Sequence, residues 1–272
     1  MLFKDKSVFI TGASRGIGKA IALKLAAAGA NITIAAKSVT ENPKLGGTIF
    51  SAAEEVEALG ARALPVACDI RFEDQVQHAV NAAAEAFGGI DILINNASAI
   101  SLTPVEQTSM KSFSLMHDIN VKGTFMVSQA CIPHLKKSDN AHILNLSPPL
   151  NLDKKWFSNH VAYTMSKYNM TMVALGLAGE LKKYGIAANT LWPRTTIATA
   201  AVQNLLGGDT LIQMSRTPQI VADAAFYLLQ RSSKECTGNS FTDEEILAQE
   251  GIHELDDYAV SPGGKLYPDL FL

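Results

Sequence analysis

The stretch SVFITGASRGIG, residues 7–18, carries five strand-forming residues into a turn with glycine at positions 12, 16 and 18. Beyond it, Ile17, Ile21, Leu25 and Ala28 recur at helical spacing until Gly29 stops the pattern. Gly12 permits a tight turn, Gly16 lets the backbone approach a ligand closely, and Gly18 allows helix and strand to pack together. Strand, glycine turn and helix in this order open a doubly wound α/β sheet, with an anion site at the free N–H groups of the helix N-terminus. Ser14, Arg15 and Ile17, with Gly12, Gly16 and Gly18, are therefore candidate contacts for a dinucleotide.

The same alternation continues along the chain. NITIAA (31–36), the runs 61–67 and 90–95, HILNLS (142–147) and IAANTLW (186–192) are apolar and strand-like, and a last short strand is expected near 239–242. Helical stretches separate them. Val76, Val80, Ala83 and Phe87 mark the face of one helix, and a long helix is expected over about 160–184. Near-continuous apolar strands between helices predict a parallel sheet of about seven strands, covered by helices on both faces and joined by right-handed crossovers. A single Rossmann-type domain over 1–250 follows, with a Pro- and Gly-containing tail, 251–272, packed on it or extending from it. A polar insertion, SVTENPKLGGT (38–48), interrupts the rhythm after the second strand.

With 47% hydrophobic and 18% charged residues, the chain has the composition of a globular protein that folds by burial. A net charge of -3 and the lack of any lysine or arginine run predict no nucleic-acid partner. No leader pattern and no run of roughly twenty apolar residues is present, which predicts a soluble, cytoplasmic protein without a membrane span. Cys68, Cys131 and Cys236 are widely spaced and read as incidental thiols, and no metal site is expected.

The second strand ends in Ala35-Ala36-Lys37-Ser38, where an NAD-preferring site places an acid for the ribose hydroxyls. Lys37 stands there instead, and with Arg15 it can neutralise a 2′-phosphate, so NADP(H) is the expected cofactor. Asp69, closing the third strand, reads as an acceptor for the adenine amino group and equally as the N-cap of a helix beginning near Phe72, two roles that different oxygens can hold together. The fourth strand runs into Asn95-Asn96-Ala97, where small and amide residues suit close packing against a cofactor.

Tyr163 and Lys167 stand four residues apart, on one face of the long helix. A free phenol titrates near pH 10, and a neighbouring positive charge favours the phenolate, which predicts a lowered value suited to proton exchange at neutral pH. Alone, such a pair is common on helix surfaces. Its combination with the glycine turn, Asn95-Asn96-Ala97 and Asn120 is not.

In these residues the chain resembles the short-chain dehydrogenase/reductase family over nearly its whole length, and the hydroxysteroid dehydrogenase-like branch in stretches such as NNASAISLT, AHILNLSPPLN and LWPRTTIAT. Some members of that branch carry a sterol-carrier-type domain after the reductase domain, and none is expected within these 272 residues. The resemblance implies an oxidoreductase moving a hydride between NADP(H) and a carbonyl or alcohol. Tyr163 would exchange the proton with the substrate oxygen, Lys167 would hold the nicotinamide ribose, and Asn120 would support a water-linked proton relay. Asn96 and Ala97 would line the cofactor. The resemblance also implies a homodimer or homotetramer and a small-molecule carbonyl or alcohol substrate.

Two positions depart from the family pattern. The carbonyl-polarising serine, about thirteen residues before the tyrosine in the family, has its nearest match sixteen residues away in Ser147, which also reads as a strand-end cap. After the sixth strand the usual Pro-Gly is Pro193-Arg194, which loses a permissive backbone position. Around it, Pro193, Thr196, Ile197 and Thr199 are candidate contacts for the nicotinamide carboxamide. Trp156, Phe157 and Trp192 are leads for apolar substrate contact, and His160 reads as a helix-start residue. These departures keep open a second reading, a nucleotide-binding sensor or scaffold with little turnover. An epimerase or dehydratase acting on a nucleotide sugar fits the glycine spacing less well.

Overall fold

The computed structural model describes residues 2–272. Seven parallel strands form one sheet in the order β3-β2-β1-β4-β5-β6-β7. They are β1 Ser7–Thr11, β2 Asn31–Ala36, β3 Ala63–Ala67, β4 Ile92–Asn95, β5 His142–Asn145, β6 Ala187–Trp192 and β7 Ser240–Thr242. The five inner strands, β1, β2, β4, β5 and β6, are almost wholly buried, as near-continuous apolar runs between two helical layers require, while the edge strands β3 and β7 are mostly half-buried. The boundaries are one or two residues tighter than the apolar runs, since flanking residues such as Ala61, Ile90 and Leu146 pack beside the sheet without joining its ladder.

The principal helices are α1 Gly16–Ala27, α2 Ile49–Glu57, α3 Glu73–Phe87, α4 Met110–Met116, α5 Thr124–Leu135, α6 Lys155–Ser158, α7 Val161–Leu181, α8 Gly208–Gln213, α9 Gln219–Gln230 and α10 Asp243–Gln249. On one face, Ile21 and Leu25 of α1 and Ile220, Leu228 and Leu229 of α9 pack on Ile10, Ile32 and Ile94. On the other, Val76, Val80 and Ala83 of α3 join Val127 and Cys131 of α5 and Leu177 and Leu181 of α7. Each fully buried Val, Leu or Ile of these layers contributes about 1.5–3 kcal/mol of transfer free energy. Phe87 stays at the rim, beneath the Arg62 guanidinium at 5.0 Å.

The insertion at 38–48 is a loop whose last residue, Thr48, caps α2: its side chain accepts from Ser51 N–H, and Ser51 reciprocates. The strand order reverses beside β1, where β1 pairs with β2 on one side and β4 on the other. Ligands of such sheets bind in the crevice outside the carboxyl ends of the strands at this switch point. Thr11, Asn95, Asn145 and Trp192 all close their strands at that edge. Among the described residues no helix is long and apolar enough to cross a membrane.

Candidate active site

The glycine turn is held from the fourth strand. Thr11 Oγ1 accepts from the N–H groups of Asn96 and Ala97, both at 3.1 Å, and Asn96 Nδ2 donates to the carbonyls of Thr11 and Gly12 at 3.0 and 3.1 Å. This clamp explains two glycines. A Cβ on Gly12, where φ is +68°, would meet Ala97 Cα at 2.9 Å. One on Gly18 would collide with the Asn96 amide and reach Gly12 O at 2.8 Å. Gly18 therefore leaves room for the Asn96 clamp, a tighter demand than helix-on-strand packing. Arg15 holds the N-cap position of α1 without capping its N–H groups by its side chain, and the first turn carries no acid, so those N–H groups suit an anion. Ser14 is buried in the turn, and Thr199 Cγ2 would lie 3.4 Å from a Gly16 Cβ, which brings the 193–199 loop against the turn.

At the nucleotide's outer end, Arg15 donates to the carbonyls of Gly46 and Gly47 at 2.7 and 2.9 Å and to Ser38 Oγ at 2.8 Å, so the insertion folds back onto the turn. Lys37 is exposed at the end of β2. Asp69 does not cap α3: that helix begins at Glu73, with Phe72 in the cap position and no side-chain cap bond. Its carboxylate instead takes a two-pronged grip from Arg71, Nη2 to Oδ2 at 2.6 Å, which holds the acid below its usual range. Arg71 is a cation at this end that sequence reasoning passed over, although it stands two residues from Asp69.

At the other end, Tyr163 and Lys167 stand in the first and second turns of α7, 4% and 2% exposed. Lys167 Nζ donates to the Leu146 carbonyl at 2.7 Å, lies 3.4 Å from Ser98 Oγ and sits 5.1 Å over the Trp192 ring. Burial pulls its ammonium down to about 7, with the charge of Asp269 acting the other way. The phenol of Tyr163 behaves opposite to expectation: burial first, then the charge of Asp269, push it above its ordinary value. Burial therefore works against the phenolate, the reverse of the lowering expected from Lys167.

Asn120 lies in a π-helical turn, His117–Gly123, between α4 and α5. Its Oδ1 accepts from Ala99 N–H at 2.8 Å, and its Nδ2 donates to Ser166 Oγ at 2.9 Å, which in turn donates to the Tyr163 carbonyl at 2.8 Å. Asn120 thus braces the turn that presents Tyr163. Ser147 is fully buried, its Oγ 2.9 Å from Thr171 Oγ1, while Thr171 also donates to the Pro148 carbonyl at 2.6 Å. The pair fixes the Pro148-Pro149 loop against α7. His160 caps α7, its Nδ1 3.0 Å from Thr164 Oγ1.

The loop after β6 is tied to residues 267–272. Thr195 forms an antiparallel bridge with Pro268, Thr196 N–H donates to the Tyr267 carbonyl at 3.0 Å, and Ile197 is buried beside it. Arg194 and its neighbours keep ordinary negative φ, so this loop has no need of the family's glycine. Phe271 sits at the centre of an aromatic nest, 5.7 Å from the Trp156 ring, 5.2 Å from Tyr168 and 6.1 Å from each of His160, Tyr163 and Trp192. Phe157 stands at its margin, edge-on to Tyr168. Asp269 and Phe271 lie in the closing stretch PGGKLYPDLFL, which resembles the hydroxysteroid dehydrogenase-like branch, but neither is a site candidate from sequence, since nothing local ties that segment to a helix a hundred positions away.

A glycine cradle at the switch point, a clamp from the fourth strand and a buried Tyr/Lys pair define a Rossmann-type oxidoreductase site. The chain belongs to the short chain dehydrogenase family, whose model matches residues 6–207. It is 58% identical to hydroxysteroid dehydrogenase-like protein 2 of Xenopus laevis, over 98% of this chain and 63% of that protein. The chain thus spans under two thirds of the length of that relative. A putative dehydrogenase from Xanthomonas campestris is 52% identical, with a TM-score of 0.96 over 100% of this chain and 99% of the other. A short chain dehydrogenase from Burkholderia cenocepacia, solved in complex with NADP, is 26% identical with a TM-score of 0.76, covering 89% of this chain and 97% of the other.

Proposed function

We propose that this chain transfers a hydride between NADP(H) and an apolar carbonyl or alcohol, with Tyr163 as the group that gives or takes the proton at the substrate oxygen. The observation that carries the reading is the placement of Tyr163 and Lys167 one helical turn apart, buried at the crevice edge beside an aromatic wall. Bound NADP(H) supplies or accepts the hydride at its nicotinamide. Gly12, Ser14, Arg15, Gly16, Ile17 and Gly18 hold its pyrophosphate, with Asn96 and Ala97 behind them, and Pro193, Thr196, Ile197 and Thr199 line its carboxamide. Lys37 and Arg15 take the 2′-phosphate, and Asp69, steadied by Arg71, borders the adenine. The complexed NADP of the Burkholderia cenocepacia neighbour supports the choice of nucleotide.

In reduction, the protonated Tyr163 donates to the oxygen as negative charge develops there, and Lys167 stabilises the phenolate left behind. Trp156, Trp192 and Phe271 exclude water and favour an apolar substrate. Asn120 acts through the Tyr163 turn and would support a water-linked proton relay. On α7, Met165, Met172 and Leu175 stand exposed with Phe125 of α5, a face that suits pairing of two copies as a dimer or tetramer.

Tyr163→Phe tests the reading. NADPH fluorescence should report unchanged binding, while NADPH oxidation over a panel of ketones and aldehydes falls by about 10²–10⁴. Tight NADPH binding by the unaltered protein, with no turnover on a broad panel, overturns it in favour of a sensor or scaffold. The engagement of Ser147 by Thr171 favours that second reading, because it turns the nearest family-type serine to a structural use.

A further inference from the structure

Resting on the reading of Tyr163 and Lys167 as the reacting pair, we propose that Asn145 is a positioning residue of this site, the buried amide that holds α7, and with it Lys167, in register with the Leu146 carbonyl. Three groups meet Lys167 Nζ: the Leu146 carbonyl at 2.7 Å, Met170 Sδ at 3.4 Å and Ser98 Oγ at 3.4 Å. Asn145 governs the first two. It closes β5, and its carbonyl accepts from the Ser147 N–H at 2.9 Å, a three-residue turn with Leu146 at its centre. The Ser147 N–H belongs to the same planar peptide unit as the Leu146 carbonyl, so this bond sets the direction of the acceptor that Lys167 meets. The Leu146 N–H is held in turn by the Asn95 carbonyl at 2.9 Å.

The side chain holds the helix. Asn145 Nδ2 donates to the Met170 carbonyl at 2.9 Å, three residues beyond Lys167 on α7. Met170 lies within the helix, so its carbonyl already serves the helical ladder and the amide takes its second lone pair. One residue of β5 therefore reaches both sides of the Lys167 contact. Its main chain aims the acceptor, and its side chain fixes the turn of α7 from which the donor comes.

The amide is itself directed. Asn145 Oδ1 accepts at 2.9 Å from Nδ2 of Asn95, its register partner on β4, and Asn95 Nδ2 also donates to Ser128 Oγ of α5 at 3.0 Å. Asn96, next in the chain, carries the clamp on the glycine turn. A line of contacts thus runs from that turn through Asn96, Asn95 and Asn145 to α7. Asn95, Ser128, Asn145 and Met170 are all at most 1% exposed. Ile143, two residues before Asn145 and on the same face of β5, packs among apolar side chains of α3, α5 and α7. An apolar residue at 145 would serve that layer for packing alone, and a buried amide is costly unless its bonds are made. What Asn145 supplies there is direction.

The test follows the ε-methylene NMR signal of ¹³C-labelled Lys167 in the full chain, assigned by its loss in Lys167→Arg. Lys167 Nζ lies 5.1 Å over the Trp192 ring, whose ring current makes that signal a measure of position. Asn145→Leu, close in volume, removes both side-chain bonds, and the signal should shift. With it, kcat for NADPH-linked turnover should fall by about 10²-fold while KM for the carbonyl changes little, the effect of a misplacement of roughly 1 Å. Asn145→Ala removes the same bonds without added bulk, should the leucine variant fail to fold. Ser128→Ala breaks the same buried network on its α5 side and should lower stability while leaving the signal and kcat in place. An unmoved Lys167 signal in a folded Asn145 variant overturns the proposal, as does an equal shift in Ser128→Ala, the mark of general loosening. A further measurement needs no variant: the Asn145 side-chain amide protons of the unaltered protein should resist exchange into D₂O, and exchange as fast as that of exposed asparagines also overturns it. A signal that shifts in the Asn145 variants while the unaltered protein reduces no carbonyl supports the positioning and defeats the proposed activity, which separates the two.

Discussion

The N–H of Asp269 donates to the carbonyl of Arg194 at 3.1 Å, joining residues 267–272 to the loop after β6, the loop proposed to line the nicotinamide carboxamide. That join delivers Phe271 into its nest. Phe271→Ala removes a fully buried ring that touches Trp156, Tyr163, Tyr168 and Trp192, and large-to-small changes of this kind cost about 3–5 kcal/mol. Both tryptophans of the chain lie beside that ring. The variant should unfold at lower urea, and its tryptophan emission should shift to the red as water enters. Unchanged emission would mean that the nest does not form in solution.

Gly18→Ala should damage the nucleotide end specifically. The new methyl group displaces the Asn96 amide from Thr11 O and Gly12 O, and the clamp on the glycine turn is lost. Overpacking of this kind costs about 1–3 kcal/mol. NADPH affinity should drop at least about tenfold by fluorescence titration, because turn geometry and stability fail together. Wild-type affinity in a folded Gly18→Ala protein would remove Asn96 from the account of the turn.

Lys37→Asp addresses nucleotide choice. Lys37 is exposed at the end of β2, near enough to Asp69 to lower that acid, so it stands at the adenosine end. Reversing its charge beside a 2′-phosphate carrying nearly two negative charges should raise the Kd for NADPH by about tenfold or more, while the Kd for NADH moves little. Isothermal titration with both nucleotides decides it. Equal changes for the two would take Lys37 out of the argument.

These experiments fall on residues that differ in how readable they are. Gly12, Gly16, Gly18, Asn96 and the Tyr163/Lys167 spacing are local patterns, and period and turn chemistry place them on the right elements before any tertiary contact is known. The parallel sheet is legible for the same reason, since seven apolar runs separated by helical ones admit few topologies. The cap reading of Asp69 and the lowered Tyr163 phenol were misjudged because both depend on surroundings that no local pattern gives: an arginine two residues on, and for the phenol its burial and an acid from another part of the chain. Asp269, Phe271 and Asp243 carry no periodicity that singles them out. Tertiary contacts alone bring them to the loop after β6: the Thr195–Pro268 bridge and the Asp269 N–H to Arg194 carbonyl bond for the last segment, and the Arg194 N–H for Asp243.

His142 gives a prediction about pH and stability away from the site. It is 1% exposed on β5, its Nε2 donating to the Arg231 carbonyl at 3.1 Å. Burial lowers its imidazolium to about 4, the carbonyl opposing, whereas the unfolded chain titrates it near 6.5. Between those values the unfolded state holds a proton that the folded state lacks, so the His142 contribution is present above about pH 6.5 and is lost as pH falls toward 4. The difference corresponds to about 3 kcal/mol. Asp243 and Asp269, raised to about 6 and 7, act in the reverse sense, losing their contribution as pH rises through the same window, and they partly hide the effect in the unaltered protein. His142→Gln isolates it, since glutamine reaches the same carbonyl with an N–H and does not titrate. The stability advantage of the unaltered protein over the variant, measured by urea unfolding at about pH 7 and again at about pH 4, should shrink or invert by about 3 kcal/mol. A pH-independent gap would show that the histidine takes up its proton in place, without cost to the fold.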